Sequence, residues 1–213
     1  MARINQEILD ELVEDCSAGN DEYVVSKWII EKVPAIFNGN FEQFVKVKLS
    51  IAKQLGIDSC SVVFVGSSCT GFSMNPAKDF KVFDEKSDID IAIVSYYYFN
   101  VAWRWLRQQD ATLLRGSVKK AYTSHRNFYV FDGTIATDKI LKFLPFGTVW
   151  KNVIDELKEN PIFNGRDIHF RLYQDHKALV DYHVKNIKNN IPQLLNVKPQ
   201  NTLLKVDNYI KSR

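Results

Sequence analysis

Two short stretches of this 213-residue chain carry residue types that handle phosphate when they are brought together. Gly66-Ser67 ends the apolar run Val62-Val63-Phe64-Val65, and Asp88-Ile89-Asp90 opens a second apolar run, Ile91-Ala92-Ile93-Val94. In a strand successive side chains alternate faces, so Asp88 and Asp90 project from one side while Ile89 and Ile91 enter the core. Two carboxylates about 6–7 Å apart on one sheet face repel each other and call for a cation. Magnesium, a hard ion that prefers oxygen, is the expected one. Gly66 lets the backbone come close to a ligand, and Ser67 offers a hydroxyl and an N–H where a strand gives way to a helical turn, an arrangement suited to phosphate. Each motif alone is common, since Gly-Ser is often only a turn and Asp-x-Asp only a solvated strand edge. Their order along the chain is what makes them informative.

With VVFVGSSCTGF followed by SDIDIAIV, the chain resembles the DNA polymerase β-like nucleotidyltransferase superfamily. The likeness covers 60–94 closely and 167–195 loosely, and leaves out the N-terminal helices. The resemblance implies a magnesium-dependent enzyme that transfers NMP from an NTP, ATP for example, to a hydroxyl. It assigns Gly66, Ser67, Ser68, Thr70 and Gly71 to the triphosphate, Asp88 and Asp90 to two Mg2+ ions, and a third acid to a later strand. The chain departs from the pattern in the long polar loop 68–87, where Ser73 and Asn75 join Thr70 and Gly71 as residues expected over the ligand. In Asp167-Ile168-His169-Phe170-Arg171-Leu172 the alternation sends Ile168, Phe170 and Leu172 inward and Asp167, His169 and Arg171 to the other face. Asp167 is expected as the third catalytic acid and metal ligand because a carboxylate is the harder ligand; His169 is the alternative. A basic and aromatic stretch over 104–126, with Arg104, Arg107, Arg115, Lys119, Lys120, Arg126, Trp103, Trp105 and Tyr122, is expected to grip triphosphate or RNA. Lys119 and Lys120 are its nucleotide-binding candidates; its rival reading is core tryptophans beside a solvated basic face.

The elements that must position these residues follow from the hydrophobic pattern. Helical spacing over 4–56, broken at SAGNDE and NGN, predicts three helices, expected together on one side of the sheet. Strands are expected at SVVFVG, at DIDIAIVS and over 167–173, the last after the turn signal Asn164-Gly165. Helices are predicted over 97–114 and after Pro145, with the span to Thr137 ambiguous, and Asp175 is expected to cap a long helix to about residue 195. His176 and His183, seven apart on it, share a face, with no acid pattern around them to suggest a metal site.

Long helices first and then strands separated by helices argue for an α+β fold with a small mixed β-sheet flanked by N-terminal and C-terminal helices. The expected organisation is a helical segment 1–56 packed on a core 57–198, with a tail 199–213. A net charge of +3 is too mild to mark a nucleic-acid binder, so any basic surface is local. Acids near the N-terminus and the lack of a long apolar run argue for a cytoplasmic protein without a membrane partner. Cys16, Cys60 and Cys69 lack CxxC spacing, so neither a disulfide framework nor structural zinc is indicated. The acceptor hydroxyl could sit on RNA, a protein, a nucleotide or a small molecule. The rival function is a catalytically degenerate member of the same fold that binds nucleotide, RNA or a partner protein, as in toxin–antitoxin or phage-defence pairs.

Overall fold

The computed structural model describes residues 4–78 and 80–196. The expected tail 199–213 lies outside the described residues.

Four strands form one mixed sheet in the order β1-β2-β4-β3: β1 (Val62–Val65), β2 (Ile89–Val94), β3 (Thr134–Ala136) and β4 (Ile168–Tyr173). β1 and β2 are antiparallel, β2 and β4 parallel, and β3 and β4 antiparallel. The eight α-helices among the described residues are α1 (Gln6–Ser17), α2 (Asp21–Val25), α3 (Phe41–Leu55), α4 (Gly66–Thr70), α5 (Tyr96–Gln108), α6 (Gly116–Ser124), α7 (Gly147–Glu159) and α8 (His176–Asn196). The coarse α+β expectation matches this mixed sheet with helices on both faces. No helix among the described residues is long and apolar enough to cross a membrane.

Alternation along the strands divides the apolar residues into two cores. Val62, Phe64, Ile89, Ile91, Ile93, Phe170 and Leu172 face α3, α5 and α7, with Trp150 of α7 fully buried against Phe170. Val63, Val65, Ala92, Val94 and Tyr173 face α1, α2 and α8. The N-terminal helices therefore do not share one side, which corrects the sequence expectation. α1 and α2 lie on one face, while α3 crosses to the other, where Phe37 and Phe44 meet Phe64 edge-on. Helical periodicity shows that a stripe is buried, but not which sheet face buries it.

Local signals account for most boundaries. Asn40 caps α3 by accepting from Gln43 N, Ser95 caps α5 by accepting from Tyr98 N, and Asp175 accepts from Ala178 N at the start of α8, as expected. The helix predicted over 97–114 stops at Gln108, where the Asp110 carboxylate accepts from Thr112 N in a turn. The ambiguous span contains α6, a π turn (His125–Tyr129) and β3.

Candidate functional site

The pairing of β1 with β2 sets Val65 opposite Asp90, so the first strand delivers Gly66 onto the carboxylate that begins the second. A Cβ on Gly66 would stand 2.8 Å from Asp90 Oδ2, and its φ is +63°. Only glycine tolerates both that approach and that backbone, which lets the chain turn from β1 directly into α4.

On the other side of β2, the parallel register sets Asp90 opposite His169 of β4. β3 pairs Ala136 with Arg171, and Thr137 continues the ladder by donating its hydroxyl to the Phe170 carbonyl at 2.5 Å. Asp138 therefore arrives beside His169, with Oδ1 3.8 Å from Nδ1, while Asp88 Oδ2 lies 4.0 Å from Nε2. The imidazole stands between two carboxylates, with Asp90 as its neighbour in the sheet.

Burial pushes the Asp90 carboxyl above the usual range; the charges of His169 and Arg171 pull it back, and those of Asp88 and Asp138 push it up again. Arg171, next on the same face of β4, holds its guanidinium between the rings of Tyr129 and Tyr182, 5.2 and 5.1 Å from their centroids. Its Nη1 is buried without a hydrogen-bond partner among the described residues.

Asp90, Gly66 and Ser67 open onto a cleft of about 460 Å³, closed by the loop through Ser73, Met74, Asn75 and Lys78 and by Tyr182, His183, Asn186, Asn189 and Asn190 of α8. Spacings of three and four bring those α8 residues onto one face. Asn190 Nδ2 donates to the Met74 carbonyl and ties helix to loop. His183 Nε2 is buried without a hydrogen-bond partner among the described residues, and burial, with Arg171 nearby, pulls its pKa down to about 4.

The residues singled out from sequence are distributed unevenly. Gly66, Ser67, Thr70, Ser73, Asn75 and Asp90 line this cleft. Asp88 sits one residue before β2 rather than inside it, exposed, at the edge of the cluster. The Ser68 hydroxyl is buried and donates to Val65 O, and that of Thr70 donates to Gly66 O and Phe72 O, so both hydroxyls serve the α4 turn. Gly71 ends α4 with φ +89°.

Asp167 precedes β4 instead of starting it. Its carboxylate accepts from Lys158 Nζ at 2.8 Å, a bond that holds its pKa below the usual range, and its main-chain oxygen accepts from Ile89 N. The residue opposite Asp90 is His169, and the acid beside that histidine is Asp138. None of the basic residues of 104–126, Lys119 and Lys120 included, lines the Gly66–Asp90 cleft. Trp103, Arg107, Tyr122 and Arg126 instead surround a separate apolar hollow with Phe131.

Asp138 and the amides of the α8 wall were not read from the sequence, and Arg171, placed there on the His169 face, was given no role. The one local signal for Asp138 was its position just after the short β-branched Thr134-Ile135 run.

Among the described residues, no three of His, Cys, Asp and Glu converge closely enough to hold a metal ion by themselves. Magnesium usually binds through one or two carboxylates, with substrate phosphates and water completing its shell. A cation beside Asp90 would also relieve the like-charge crowding from Asp88 and Asp138. The described residues do not form a cage that would hold an ion by itself; Asp90 and Asp88 are the carboxylates that a magnesium ion bound with a phosphate would use. Comparison with protein-family models, with curated proteins and with solved structures finds no match to the chain.

Proposed function

We propose that the Gly66–Asp90 cleft binds a nucleoside triphosphate with magnesium and that the protein transfers the NMP group to an acceptor hydroxyl. The observation that carries this reading is the close approach of Gly66 to a half-buried Asp90, whose charge Asp88 and Asp138 oppose, at the mouth of a cleft of about 460 Å³. That volume is in the range of small-molecule sites.

In this reading Asp88 and Asp90 hold magnesium together with the phosphates, and the ion when bound offsets phosphate charge and promotes loss of the acceptor proton. Ser67 and Lys78 face the phosphates, and the amide-bearing wall of Asn186, Asn189 and Asn190 faces the nucleoside. The acceptor oxygen bonds to the α-phosphorus as the bond to the β-phosphate oxygen breaks, and pyrophosphate leaves. His169 takes the acceptor proton, and Asp88 and Asp138 on its two sides stabilise the imidazolium that forms. Asp167, engaged by Lys158, acts by holding the start of β4 against Ile89. The setting is the cytoplasm, which supplies NTP and keeps thiols such as the free, buried Cys16 and Cys69 reduced.

A second reading, nucleotide binding without transfer, draws on one observation: the position opposite Asp90 is a histidine, with no self-sufficient set of metal ligands among the described residues. Calorimetry with magnesium and a non-hydrolysable NTP, run beside transfer of labelled NMP to total RNA, to lysate and to the protein itself, separates the two. Asp90→Asn is expected to lose binding by at least about tenfold and transfer altogether, while its melting temperature holds. Unchanged binding in Asp90→Asn overturns the site. Binding by the wild type with no transfer to any acceptor selects the second reading.

A further inference from the structure

Asp138 stands between a side chain of the sheet and a hollow. One of its flanks is the His169 imidazole; the other is a separate hollow of about 360 Å³ lined also by Ser117, Val118, Lys139, Leu141, Lys142 and Lys151. Three lysines and one aspartate line this hollow. Among the described residues Lys139 and Lys142 form no ion pair, and Lys142 rests over the Phe143 ring at 4.9 Å. Lys151 shares its charge with Asp155 across one helical turn. Lys139 and Lys142 are exposed, and with Lys151 they give the hollow an excess of positive charge next to the carboxylate that lies beside His169.

We propose that this lysine hollow is the acceptor subsite and that the acceptor carries phosphate. A phosphate there is neutralised by Lys139, Lys142 and Lys151, while the hydroxyl of the same molecule reaches past Asp138 to His169. Asp90 lines the nucleotide cleft and Asp138 lines the acceptor hollow; His169 lines neither, but it pairs with Asp90 in the sheet and lies 3.8 Å from Asp138. A neutral small molecule or an uncharged protein hydroxyl would gain nothing from the three lysines. A nucleotide or an RNA end gains all three. The inference rests on the reading of the Gly66–Asp90 cleft as the NTP site.

The test uses the full chain and the double variant Lys139→Ala/Lys142→Ala, whose exposed side chains can be removed without opening a cavity; an unchanged melting temperature verifies that it folds. AMP and a short single-stranded RNA with a free 3′ hydroxyl are titrated separately, without NTP, over a range of salt. Magnesium with a non-hydrolysable NTP is titrated in parallel. The expected result is about tenfold or greater weakening of AMP or RNA binding in the double variant, with a salt slope shallower by about 1 to 2, and NTP binding unchanged. Binding of AMP alone identifies a nucleotide acceptor, and binding of RNA alone identifies an RNA end. Equal weakening of NTP binding would reassign the lysines to the triphosphate and overturn the proposal, as would wild-type affinity in the double variant or no binding of either probe to the wild type. Failure of the NTP reading is seen separately, as absent NTP binding to the wild-type protein.

Discussion

Gly66 shows how much can depend on one missing side chain. With φ at +63° and Asp90 Oδ2 2.8 Å from where a Cβ would stand, an alanine there is opposed by both backbone and carboxylate. Gly66→Ala is expected to cost about 1–2 kcal/mol from the left-handed backbone alone, with a further increment from the clash. Removing the carboxylate should relieve only the second part. Thermal melts of Gly66→Ala, Asp90→Ala and the double variant should therefore give a double variant more stable than the two separate losses predict. Strict additivity would mean that Asp90 is not what excludes the side chain. Asp90 is also the more buried acid of the pair, while Asp88 is exposed to water.

Among the elements, α8 contributes the most residues to the cleft. It places Tyr182, His183, Asn186, Asn189 and Asn190 along one wall, and its His183 is held neutral, with a pKa near 4 against an ordinary 6.5, chiefly by burial and then by Arg171. Tyr173 and Tyr182 pack against the same imidazole. Because the folded histidine resists the proton that the unfolded chain accepts, the folded state binds fewer protons below pH 6.5. Its contribution to stability is thus complete above that pH and is lost as pH falls towards 4, by up to about 3 kcal/mol. Urea titrations of the wild type and His183→Gln between pH 7.5 and 4.5 should show the wild type losing stability faster on acidification. Parallel pH profiles would show that His183 does not carry this dependence.

For the molecule as a whole, the sheet is the shared wall of two apolar cores. Trp150, Phe64 and Phe170 fill one, and Leu12, Leu179 and Tyr173 the other. β1, β2 and β4 each contribute residues to both cores, whereas β3 contributes Ile135 to the first alone, so neither core can open without releasing strand backbone that the other needs. Trp150→Ala is expected to cost about 3–5 kcal/mol and Leu179→Ala about 2–5 kcal/mol, each lowering a single transition followed identically by tryptophan fluorescence and far-UV circular dichroism. A separate early transition in Leu179→Ala would mean that α1, α2 and α8 form an independently melting layer.

The elements around the Gly66–Asp90 cleft were partly legible because they depend on short-range rules. Strand alternation placed Ile89 and Ile91 in the core and left Asp90 on the other face; the glycine after an apolar run marked the turn above it; Asp175 announced the start of α8. The identity of the acid nearest His169 was not legible. Asp167 lies two residues away in the chain but is drawn to Lys158, whereas Asp138 arrives from a three-residue strand too short to show a period. The amide wall of α8, the crossing of α3 to the opposite face and the lysines behind Asp138 were hidden for the same reason. Side-chain periodicity encodes which face of an element is buried, but register, strand order and long-range ion pairs are settled only when distant elements pack.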